Sequence, residues 1–106
     1  MISNTPAPPY YAVIFSSVRT NDTNGYAEMN AFMDALAQQQ DGFLGMENAS
    51  SEIGITISYW NDLEAIKRWK DHLDHQKAQD EGKKRWYNQY KVRIAKVERD
   101  YEFLKK

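Results

Sequence analysis

The sequence predicts an α+β domain of βαββαβ order, the ferredoxin-like arrangement, with two helices packed on one face of a four-stranded antiparallel sheet. Three observations predict it. Two segments repeat apolar residues at spacings of three and four, as amphipathic helices do, and the shorter apolar segments around them alternate as strands do. In chain order these read strand, helix, strand, strand, helix, strand. The chain has 106 residues, 42% of them hydrophobic, which is enough for one core and too short for two domains.

Each element has its own signal. Pro6, Pro8 and Pro9 lack amide donors and favour extended backbone, so residues 1–9 read as a tail and the domain as residues 10–103. From Tyr11 to Val18 both alternating sets are apolar: Tyr11, Val13 and Phe15 on one face, Ala12, Ile14 and Val18 on the other. This first strand is therefore covered on both sides. Asn21-Asp22-Thr23-Asn24-Gly25 is a turn cluster able to cap a helix, and Tyr26, Met29, Phe32, Met33 and Leu36 form the helix stripe that follows. The helix ends at Gln38-Gln39-Gln40 and the turn Asp41-Gly42. Phe43 to Ala49 and Ile53 to Trp60 are two strands of an antiparallel hairpin linked through Ser50-Ser51-Glu52.

Asn61 with Glu64 suggests a capping box opening the second helix, whose stripe runs Leu63, Ile66, Trp69, Leu73. The stripe then lapses, so the helix is expected to break between Leu73 and Lys77 before Trp86-Tyr87. Tyr90, Val92 and Ile94 alternate in the last strand. The apolar phase then slips to Val97, Tyr101 and Phe103, which predicts a β-bulge after Ile94. Two helices cover only one face of such a sheet, yet the first strand is apolar on both. A second copy packed sheet to sheet is the expected cover, making a homodimer.

Composition narrows the function classes. Net charge is −1, from 14 basic and 15 acidic residues interspersed along the chain, so neither nucleic acid nor a membrane surface is an expected partner. Cysteine is absent, which removes disulfides, thiolate metal sites and a cysteine nucleophile. The opening residues lack a basic start and an apolar run, no segment is long enough to span a membrane, and a cytoplasmic protein is the expectation.

No metal site is expected, because His72 and His75 are three apart with no third ligand, and the scattered glycines form no phosphate loop. What remains is an aromatic and histidine cluster: Trp60, Trp69, His72, His75, Trp86 and Tyr87. Such residues can wall a pocket for a flat ring. For Trp60 and Trp86 core packing is the favoured reading. On an unbroken helix His72 flanks the apolar stripe and His75 points away, whereas a break would free His75 to turn inward as a general base. Arg93 could neutralise a phenolate or carboxylate, although a surface or interface ion pair is the favoured reading.

Gly42-Phe43-Leu44-Gly45, Ile57-Ser58-Tyr59-Trp60, Leu63-Glu64-Ala65-Ile66 and Trp69-Lys70 resemble the antibiotic biosynthesis monooxygenase (ABM) domain. In the second half His75, Ala78-Gln79, Gly82, Trp86-Tyr87, Tyr90, Arg93-Ile94 and Val97-Glu98-Arg99 resemble one bacterial subgroup of it. The resemblance implies a dimeric α+β barrel with a pocket in each subunit. It also implies cofactor-independent oxidation of a small phenolic, quinol or anthrone-like substrate, with His75 or His72 as base and Trp69, Trp60, Trp86, Tyr87 and Arg93 around the ligand. Haem-degrading relatives use an Asn on the first strand, a Trp on the second helix and a His ten residues later. Here Trp69 fits, but Gln79 and Ser16-Ser17 stand at the other places, so haem is the lesser alternative. A non-catalytic ligand-binding or stress-related module is the other.

Overall fold

The computed structural model describes residues 1–74 and 84–106. Its elements are β1 (Tyr10–Arg19), α1 (Tyr26–Gln38), β2 (Phe43–Ser50), β3 (Gly54–Trp60), α2 (Leu63–Asp74) and β4 (Tyr87–Val97). The expected βαββαβ order is realised. One sheet holds all four strands in the order β2-β3-β1-β4, every pair antiparallel.

The doubly apolar strand becomes one of the two inner strands. β1 pairs with β3 on one side and β4 on the other. Directly opposed residues share a face. Tyr11, Val13, Phe15 and Ser17 therefore stand with Trp60, Ser58 and Thr56 of β3 and with Ile94, Val92 and Tyr90 of β4. This is the helix-bearing face, where Trp60 packs with Ala65 and Ile66 of α2 and with Tyr11, Val13, Phe43 and Trp69. Tyr26 of α1 meets Tyr87 on the same face.

The other face carries Ala12, Ile14, Ile55, Ile57 and Tyr59, with Arg93 opposite Ile14. Residues 1–9 are not free of the domain. Ser3 donates from its amide to Glu47 Oε2 at 2.8 Å and from its hydroxyl to the Met46 carbonyl at 3.1 Å. Tyr10 donates to Asp100, which ties the start of β1 to the segment after β4. On this face Val18 and Ile55 are 37% and 41% exposed.

Local details differ from the sequence reading in three places. The N-cap of α2 is Asp62 and not Asn61: its Oδ1 accepts from the Ala65 amide at 2.8 Å, while the Asn61 amide is used by the Gly42 carbonyl. Both are capping residue types, and the tertiary bond to Gly42 decides between them. The β-bulge lies at the start of β4, where Val18 pairs with Gln89 but Arg19 with Tyr87, and not after Ile94. Pairing is regular from Gln89 to Val97, and Tyr101 and Phe103 lie beyond the strand, 93% and 87% exposed. The turn cluster before α1 supplies no side-chain cap, since Gly25 occupies the N-cap at φ 80°. The expected helix break falls at the edge of, or within, residues 75–83, outside the described residues.

Gly42 shows why one turn demands glycine. Its φ is +88°, and a Cβ there would stand 2.6 Å from the Ala65 Cβ. The α1–β2 turn thus packs directly on the first turn of α2. Among the described residues no helix is long and apolar enough to cross a membrane.

Candidate functional site

Both helices stand over the sheet without filling the space above it, and a cavity of about 880 Å³ opens between them. That volume suits an organic molecule of several rings. Val13 and Phe15 of β1, Met33 of α1, Ile66 and Trp69 of α2 and Val92 of β4 supply apolar wall. A chamber of about 80 Å³ adjoins it and shares Phe15, Tyr26, Asn30, Met33, Tyr87 and Tyr90.

The sequence-predicted residues separate on inspection. Trp69 lines the cavity. Trp60 does not: it is fully buried, its Nε1 donates to Ser58 Oγ at 2.9 Å, and it stacks behind Trp69 at 5.9 Å between centroids. His72 continues the stack, 6.0 Å from Trp69 at an interplanar angle of 17°. Its Nε2 is buried with no hydrogen-bond partner, and it does not line the cavity. Trp69 therefore stacks with both Trp60 and His72 while lining the cavity. His75 lies outside the described residues.

Trp86 lines only the small chamber and donates from Nε1 to the Asn24 carbonyl at 2.9 Å. Tyr87 lines both spaces. Burial raises its phenol well above the ordinary value, and hydrogen bonding with Tyr26 adds to this. Arg93 is exposed on the face away from the helices and does not contribute to the cavity, as its position opposite Ile14 requires.

The structure adds two residues that sequence reasoning passed over. Arg19, the last residue of β1, lines the cavity with its guanidinium carbon 3.3 Å from the Tyr26 ring centroid. Its Nε and Nη2 are buried and have no hydrogen-bond partner. Asp34 of α1 also lines the cavity, and burial raises its carboxyl above the usual range. The alternation Tyr11, Val13, Phe15 already pointed to Arg19, but the strand was expected to end at Val18. For Asp34 the only signal was its place on the helix, three residues before Ala37, which is fully buried.

Among the described residues no group of acidic or histidine side chains could hold a metal ion. Of the three positions that the haem-degrading pattern uses, Trp69 and Ser17 line the cavity, Ser16 stands opposite Ile55 on the other face, and Gln79 is not described.

Solved structures share this fold. SnoaB, a cofactor-independent oxygenase from Streptomyces nogalater, superposes with a TM-score of 0.72 at 10% identity, over 86% of this chain and 95% of that one. A Nitrosomonas europaea protein assigned to the antibiotic biosynthesis monooxygenases superposes at 0.66 with 12% identity, over 87% and 92%. In sequence, the uncharacterised protein YqjZ of Bacillus subtilis is 48% identical over 104 residues, 96% of this chain and 91% of its own length. The sequence model of the Monooxygenase af470-like family matches residues 16–96, from the last part of β1 nearly to the end of β4, with both helices between. By that match, with the fold in agreement, the chain belongs to the Monooxygenase af470-like family of ABM-type domains.

Proposed function

We propose that this protein is a monooxygenase that oxidises a small phenolic, quinol or anthrone-like substrate with molecular oxygen and no cofactor. The observation that carries the reading is the cavity of about 880 Å³, apolar and aromatic on most walls, in an ABM-type domain. An electron-rich ring anion can pass an electron to oxygen itself, so the protein need only exclude water, hold the ring and take up its proton. For an anthrone the balance is a methylene and O₂ giving a carbonyl and water. Trp69 is the wall on which the ring rests, and the adjoining chamber of about 80 Å³ is sized for dioxygen.

Deprotonation needs a base. Asp34 is our choice among the described residues, because it lines the cavity and its raised carboxyl is a stronger base than an exposed one. His75 is the competing base that the sequence nominates. His72 acts through Trp69, whose ring it backs. A second copy of the chain covers the face that bears Ile14, Ile55 and Ile57, completing a homodimer. The test is oxygen uptake with a panel of quinols and anthrones. Turnover should fall about 10²–10⁴-fold in Asp34→Asn if that carboxylate is the base, against little change in His72→Ala. A loss in His75→Ala alone moves the role to that histidine. Ring binding without oxygen uptake would leave a ligand-binding module and end the enzyme reading.

A further inference from the structure

We propose that Arg19 is an anion-recognition residue of the large cavity, and that the ligand is a flat aromatic molecule bearing a carboxylate or a similarly bidentate oxyanion. The inference deepens the reading above and rests on the same cavity. Arg19 stands opposite Tyr87 at the bulge, which puts it on the helix-bearing face with Phe15 and Ser17. Tyr26 lies against its guanidinium plane at 3.3 Å and holds that plane in place. The two donors left without partners, Nε and Nη2, belong to one edge of the guanidinium. Their parallel N–H bonds match the two oxygens of a carboxylate.

Nothing in the described protein supplies that acceptor. Asp22, the carboxylate two residues beyond Thr20, is 3.7 Å from Arg85. Asp34 shares the cavity, but its carboxyl is raised by burial alone, whereas a guanidinium partner would lower it. Buried donors of a charged group left unpaired are strongly disfavoured. A neutral residue would pack against Tyr26 without that penalty, so the charge is accounted for by what binds.

The experiment compares two fluorescent tricyclic probes of nearly equal shape, 9-anthracenecarboxylate and 9-anthracenemethanol, by titration. Wild type should bind the carboxylate at least about tenfold more tightly than the alcohol. Arg19→Gln should weaken carboxylate binding about 10- to 100-fold, the worth of hydrogen bonds to a charged group, and leave the alcohol within about twofold. Its melting temperature should not fall, because the unpaired donors leave with the charge. Arg19→Lys keeps the charge and loses the planar fork, so part of the preference should return. Equal affinities in wild type, an equal loss of both probes in Arg19→Gln, or failure of both probes to bind would overturn the proposal. Should Arg19→Gln not fold, Arg19→Lys decides: an undiminished carboxylate preference there would overturn it. Oxygen uptake is measured separately. Carboxylate selectivity without turnover would sustain Arg19 and remove the monooxygenase, and turnover of a neutral quinol without carboxylate selectivity would do the reverse.

Discussion

Trp60 and Trp69 stack 5.9 Å apart, but only Trp69 reaches the cavity, and that single step of depth separates their roles. Trp60 is fully buried, so Trp60→Ala should remove about 3–5 kcal/mol of stability, measured by urea unfolding. Trp69→Phe should leave the melting temperature nearly unchanged and weaken ring binding several-fold in the anthracene titration. Tyr59 carries a pH effect. Burial first, and then its 2.9 Å hydrogen bond to Glu47, push its phenol from the ordinary 10.0 up to about 12. A raised folded-state value favours the neutral form, so the stability it contributes is complete below about pH 10 and is lost as pH rises from about 10 to 12. Tyr59→Phe should flatten that part of the stability profile, and an unchanged alkaline slope would refute the assignment. Asp34 has the same sign: Asp34→Asn should raise the melting temperature at neutral pH, with the gap closing in acid.

At the scale of elements, the cap of α2 makes the sharpest prediction. Asp62→Ala should cost about 1 kcal/mol, because the Ala65 amide then loses its acceptor. Asn61→Ala should cost clearly less, since that residue contributes its backbone amide, which alanine retains. Equal losses in chemical unfolding would mean that the side chain of Asn61 matters as well. The strands show where periodicity suffices. β1 could be read as an inner strand because Val13 and Phe15 on one side and Ala12 and Ile14 on the other leave no polar face for solvent. The bulge in β4 could not, because Val18 and Arg19 on another strand decide where the extra residue falls.

The whole molecule leaves apolar surface on the face away from the helices, where Ile55 is 41% exposed and Ile14 and Ile57 are half-buried beside it. If a second copy covers it, light scattering should report about twice the chain mass at micromolar concentration. Ile57→Asp should then give a folded monomer, whereas Val13→Asp, on the helix-bearing face, should unfold the chain. A wild-type monomer at that concentration would remove the dimer. The order of elements, and with it the fold class, follows from the sequence by itself, because helix and strand periods are local and each apolar stripe must be buried somewhere. Trp69 as a wall was legible for the same reason, being part of the stripe of α2. The tertiary structure decided that β1 runs on to Arg19 and brings it to the cavity, and how far Trp60 and Trp69 differ in depth. Where β1 ends depends on its partner strand, since Arg19 is held in the sheet by pairing with Tyr87 across the bulge. How deep a tryptophan sits depends on where α2 crosses the sheet, and neither quantity is carried by any short stretch of chain.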